Sequence, residues 1–164
     1  MFRVTGLAKG IEDYVNRFFM GNQQVVHIIV ASLLANGHVL LLGPVGSGKT
    51  TLAKALAKAI GGGFGRVQAT NETLPSDIIG FATYMPSGEV RVVKGPIFNN
   101  IVLIDEINRA PARTLSALLE AMQEGQVTIE GKAMQLPKPK LGSAAGGPPG
   151  ASSPCPLPGG ESGR

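Results

Sequence analysis

The chain has 164 residues, 43% of them hydrophobic, a net charge of +4 and one cysteine, Cys155. That length holds one domain, or a domain and a tail. A single cysteine excludes an internal disulfide or a cysteine zinc site and fits a reducing compartment, so a cytoplasmic location is expected, and lysines and arginines scattered without a cluster argue against a nucleic-acid partner.

The first residues carry no apolar signal-peptide core. Ile11, Tyr14, Val15, Phe18 and Phe19 recur at helical spacing and predict an amphipathic helix over about residues 9–20. Gly21-Asn22 ends it, and residues 23–35 read as a more buried helix stopped by Asn36-Gly37. The apolar window 25–42 is broken by Asn36-Gly37-His38, which leaves too short a run to span a bilayer. Residues 39–42, VLLL, form a short continuous apolar run, the mark of a strand buried on both faces of a parallel sheet. Residues 50–60 predict a helix with Leu52, Ala55, Leu56, Ala59 and Ile60 on one stripe.

A second strand is expected over residues 66–69, then a polar loop, TNETLPSDIIGF. Residues 81–94 read as a hairpin around Pro86-Ser87-Gly88. Residues 101–104 form another continuous apolar strand, ending in Asp105-Glu106. Residues 111–123 predict a helix with Pro111 in its first turn and Leu115, Leu118, Leu119 and Met122 on one face. QVTIEGKAMQL reads as a second hairpin turning at Gly131. From residue 141 the composition becomes nearly all Gly, Pro, Ser and Ala, too poor in apolar surface to offset the entropy of ordering, so a disordered tail is expected. Strands alternating with helices give an α/β class with a parallel sheet.

Two motifs carry chemistry. GPVGSGKT, residues 43–50, fits the phosphate-binding loop pattern and lies between a buried strand and a helix start. Its glycines let backbone N–H groups close on phosphate oxygens, and the helix N-terminus adds partial positive charge. The expected nucleotide contacts are Gly43, Pro44, Val45, Gly46, Ser47, Gly48, Lys49, Thr50 and Thr51, with Lys49 on the β- and γ-phosphates. Thr50 offers a hydroxyl to Mg²⁺, and Asp105, at the C-terminal edge of the IVLID strand, is the second expected metal residue. Glu106 is the expected general base or water-orienting group. The sequence lacks an Asn-Lys-x-Asp guanine-reading motif, which favours ATP over GTP.

IDEINRAPARTLSALLEAMQEGQVTIEG, together with RVQATNETLPSDIIGF and GPIFNNIVLIDEINRAP upstream, resembles the MoxR family of AAA+ ATPases over about residues 8–137. The resemblance implies a P-loop AAA+ parallel sheet flanked by helices. It implies ATP hydrolysis with Mg²⁺ in chaperone-like remodelling or maturation of other proteins, by a homo-oligomeric ring, commonly a hexamer, with a partner carrying a von Willebrand A domain. Asn108 and Arg109 fall in the family's motif after the strand; they either face a neighbouring subunit or cap the helix at Pro111. The hairpin near residues 81–94 is either the family's inserted pore- or substrate-facing element or a plain structural hairpin. His27 and His38 match no ligand spacing and read as core or strand-edge residues.

The family pattern stops near residue 138, before an apolar strand ending in a polar sensor, an arginine finger and a helical lid. The expected division is therefore a partial AAA+ core, residues 1–137, and a Gly/Pro/Ser-rich tail, residues 138–164, with the sheet missing its central strand. The alternative to an ATPase is a truncated or frameshifted product that binds nucleotide without turnover or has no function. A chain of this kind is expected to hydrolyse ATP far more slowly than an intact relative.

Overall fold

In the computed structural model, residues 2–44, 46–139 and 141–146 are described. The chain runs α1 (Phe2–Asn16), α2 (Gln23–Leu34), β1 (Val39–Leu42), α3 (Lys49–Ala59), β2 (Phe64–Gln68), α4 (Pro75–Ile79), β3 (Gly80–Tyr84) and β4 (Val90–Lys94). It continues with β5 (Ile101–Asp105), α5 (Ala112–Glu124), β6 (Gln126–Ile129), β7 (Lys132–Gln135) and β8 (Leu141–Gly146).

Four strands form one parallel sheet in the order β1-β8-β5-β2. Each face of that sheet carries its own core. On one side Val15, Val26, Val30, Leu33, Leu52 and Leu56 of α1–α3 bury Ile101 and Leu103 of β5 and Leu141 of β8. On the other, Ile78, Ile97, Leu118, Ala121 and Val127 bury Val67, Val102 and Ile104. β5 contributes alternate residues to both cores, so all five of its residues are buried. The sheet is thus the middle of three layers, and it is parallel, as the alternating sequence predicted.

The strand expected to be missing is present. Leu141–Gly146 lies between β1 and β5 and pairs with both, Ile101 level with Leu141 and Val39 level with Ser143. The expected boundary at residues 137/138 therefore moves: the sheet extends at least to Gly146. The physical reason is backbone satisfaction. A strand between two parallel neighbours completes two ladders of N–H and C=O groups, and this does not require large apolar side chains. Small residues also suit the crowded position, because a Cβ on Gly142 would stand 3.1 Å from Met122 Cε and 3.2 Å from His38 Nδ1. Asn100 guides the entry: its carbonyl accepts the Leu141 N–H at 2.9 Å and its Nδ2 donates to the Pro139 carbonyl at 3.0 Å. The remainder of the expected tail, residues 147–164, lies outside the described residues.

Other elements differ in detail. α1 begins at Phe2 and ends at Asn16, after which the Phe18 and Phe19 N–H groups both bond the Val15 carbonyl. α4 stands where a loop was expected, with Pro75 in its first turn and the Asp77 carboxylate accepting the Leu74 N–H at 2.8 Å. Both hairpins form, β3 on β4 and β6 on β7. On α5 the buried positions are Thr114, Leu118 and Ala121, while Leu119 is exposed. His38 is held at the start of β1, where its Nδ1 accepts the Gly142 N–H at 3.0 Å. His27, expected in the core or at a strand edge, is instead exposed on α2, 2.8 Å from Glu12.

Candidate functional site

The loop from Gly43 to Gly48 leaves the tip of β1 and opens α3. Gly46 and Gly48 sit at φ +85° and +81°, in the left-handed region that a β-carbon disfavours. Gly48 is also crowded: a Cβ there would approach Phe19 Cε2 to 3.1 Å. Phe19 is a neighbour of the loop that sequence spacing assigned only to a helix face. Gly48 is the residue before α3, and its carbonyl accepts the Leu52 N–H at 2.9 Å, the first rung of the helix. The N–H groups of a helix's first turn lack partners within the helix and face the residues that precede it, here the loop.

Lys49 curls into the loop. Its Nζ donates to the Gly43 carbonyl at 2.7 Å and the Pro44 carbonyl at 3.0 Å, and lies 3.4 Å from Ser47 Oγ. These three contacts match the three donors of an ammonium and hold the charge inside the loop. Thr50 is half-buried in the first turn of α3, Thr51 beside it is exposed, and Val45 lies outside the described residues.

Asp105 ends β5, which places it at the same edge of the sheet as the loop. β8 separates β5 from β1, so the two strand axes are about 10 Å apart. Asp105 follows Ile101 and Leu103 on the face that packs against α3, and only 8% of the residue is exposed. Its Oδ2 accepts Arg66 Nε at 2.7 Å. Arg66 is a partner that the motifs did not point to. Glu106 takes a left-handed conformation, φ 57° and ψ 38°, uncommon for a residue with a β-carbon. Such a bend costs about 1–3 kcal/mol and turns the chain sharply at the strand tip. Asn108 and Arg109 follow in a 3-10 turn and are exposed. Pro111 precedes α5 with no side-chain cap, so neither residue caps that helix.

The glycine loop and helix start present backbone N–H donors at the same sheet edge as the strand-tip carboxylate, a donor set whose chemistry suits phosphate and a hard cation. Oxygen donors from Thr50 and Asp105 suit Mg²⁺, which keeps several waters and takes few protein ligands. Among the described residues no group of three His, Cys, Asp or Glu is placed to hold a metal by itself. No helix there is long and apolar enough to cross a membrane.

Residues 38–164 match the model of the ATPase family associated with various cellular activities, abbreviated AAA. The chain belongs to the AAA family of ATPases. Relatives of this AAA chain include the uncharacterized protein YeaC of Bacillus subtilis, 46% identical over 153 residues. Chaperone MoxR1 of Mycobacterium tuberculosis is 42% identical over 145 residues, and Protein MoxR of Paracoccus denitrificans 34% over 131. These alignments cover 93%, 88% and 77% of this chain and 48%, 38% and 39% of the relatives. The AAA chain thus spans under half the length of the curated proteins it resembles, and the MoxR resemblance holds over that span. A crystal structure described as a "putative ATPase" from Cytophaga hutchinsonii superposes with a TM-score of 0.79 at 38% identity, covering 96% of this chain and 48% of the other.

Proposed function

We propose that the chain forms the nucleotide-binding part of a MoxR-type ATPase that binds and hydrolyses ATP with Mg²⁺. The observation that carries this reading is the loop itself: two left-handed glycines, a lysine folded inside and a helix opening directly behind it. In this reading the loop amides bind the phosphates, and Lys49 Nζ exchanges its carbonyl partners for β- and γ-phosphate oxygens. Mg²⁺, when bound, supplies charge neutralisation across the phosphates. The Thr50 hydroxyl and the Asp105 carboxylate would hold that ion, and the bend at Glu106 supports a role in which it would orient the attacking water and accept its proton.

Chaperone-like remodelling or maturation of other proteins, a ring of several copies, a von Willebrand A partner and a cytoplasmic setting belong to the same proposal. They rest on the MoxR resemblance. A second reading, a chain that holds nucleotide without efficient turnover, is favoured by one observation. The β8 residue level with Asp105 is Ala145, a residue type with no hydrogen-bonding side-chain group.

Calorimetric titration with Mg-ATP tests the common core of both readings. Lys49→Ala is expected to weaken binding by about 100-fold or more, because a charge-assisted contact to phosphate is lost together with the loop's internal anchor. Equal affinity of the folded variant and the wild type removes the phosphate-loop assignment.

A further inference from the structure

We propose that Arg66 is a built-in competitor for the cation at Asp105 and sets how much divalent cation the site requires. The proposal rests on the reading of Asp105 as a metal-holding carboxylate.

Arg66 lies on β2, the strand at one end of the sheet. Burial along β2 alternates, so Phe64, Arg66 and Gln68 share one face and Gly65 and Val67 the other. Phe64 packs into the core that holds Ile101 and Leu103, which puts Arg66 on the α3 side of the sheet with Asp105. Arg66 is level with Leu103 in the ladder and Gln68 with Asp105, so the arginine reaches diagonally along the strand tips. Its Nε donates to Asp105 Oδ2 at 2.7 Å, and Nη2 lies 3.4 Å from Gln68 Oε1.

The two partners are unequal. The Asp105 side chain is 12% exposed and the Arg66 side chain 51%. The carboxylate is fixed by a buried strand, whereas the guanidinium ends a long, half-solvated side chain and is the group free to move. Gln68 provides it with a second acceptor once it lets go. While the pair is closed, an approaching cation meets a ligand whose charge is already offset and a like charge beside it. Both effects lower cation affinity. An arginine that merely oriented the carboxylate would have the opposite effect, so the sign of the change separates the two roles.

The experiment is a titration of the nucleotide-free chain with Mn²⁺ alone, followed by loss of the free-ion EPR signal. Arg66→Gln is expected to tighten Mn²⁺ binding about three- to fivefold, the upper part of the range of a partly exposed ion pair. Arg66→Lys keeps the charge and is expected within about twofold of wild type. Arg91→Gln, on the exposed hairpin, controls for net charge and leaves the affinity unchanged. In Arg66→Gln/Asp105→Asn the gain disappears. Unchanged or weaker binding in Arg66→Gln, or a gain that survives Asp105→Asn, overturns the proposal. No nucleotide takes part, so the outcome stands apart from the Lys49→Ala titration, whose failure would strike the ATP reading instead. Thermal unfolding of each variant confirms that the folded chain is being compared.

Discussion

β5 and β8 lie side by side in one parallel sheet, Ile101 level with Leu141 and Asp105 level with Ala145, yet they are built from opposite materials. β5 is IVLID, buried along its whole length and shared by two cores. β8 is LGSAAG, in which Leu141 alone is a large apolar residue. β5 holds its place by side-chain burial. β8 holds its place by backbone pairing on both edges and by being small enough to fit beside Met122 and His38. The tips differ as well. β5 ends in a buried carboxylate and a left-handed glutamate, whereas β8 ends in alanine and glycine. Two neighbouring strands thus divide the work: one supplies hydrophobic burial and a buried carboxylate at its tip, the other continuity of the sheet.

The largest expected effect tests the division at the tips. If β5 alone carries polar chemistry, Glu106→Gln should lower ATP hydrolysis by about 10²–10⁴-fold, the usual contribution of a positioned base. Nucleotide affinity should stay within about threefold, because the substitution keeps size and leaves phosphate contacts intact. Single-turnover hydrolysis beside a binding titration separates the two quantities. Undiminished turnover would place the chemistry elsewhere and break the comparison.

A smaller effect tests the division in the bodies. Leu103 has no exposed surface and sits in the middle of β5. Leu103→Ala should cost about 2–5 kcal/mol, the transfer term plus the cavity left behind. Denaturant unfolding reads this directly. A loss below about 1 kcal/mol would mean that the core collapses around the gap and that β5 is not the hydrophobic anchor.

The same contrast explains what was legible in the sequence. β1 and β5 carry short unbroken apolar runs, α3 an apolar stripe and the loop glycine and lysine at fixed spacing, so pattern alone located them, but β1 is an end strand with Leu40 and Leu42 exposed and not buried on both faces. β8 reads as tail in the sequence because its signal lies in its neighbours: two unfilled backbone ladders, and a slot that crowds a β-carbon at Gly142. α4 reads as loop in the sequence because Pro75 resembles a break, although a first-turn proline leaves the helix intact and Asp77 caps the start. Arg66 gave no signal at all. It precedes Asp105 by 39 residues, and only the pairing of β2 with β5 brings the two together.

The smallest expected effect is the most direct test of β8. A β-carbon at Gly142 would lie 3.1 Å from Met122 Cε, 3.5 Å from Met122 Sδ and 3.2 Å from His38 Nδ1. Met122 is unbranched and can swing away. His38 cannot move as freely, because its Nδ1 accepts the Gly142 N–H at 3.0 Å. Intrinsic preference favours valine over glycine in a strand. The slot opposes it, since two γ-methyls would press on the histidine that holds the strand. Gly142→Val should therefore destabilise the chain by about 1–3 kcal/mol, as overpacking does. Gly142→Ala should cost less than about 1 kcal/mol, because Met122 yields and the unfolded chain loses entropy. Equilibrium unfolding of both variants, with hydrogen exchange at the Leu141 and Gly142 amides, provides the measurement. If valine is as stable as glycine and those amides exchange freely in the wild type, β8 does not occupy the slot, and β1 and β5 are joined in some other way.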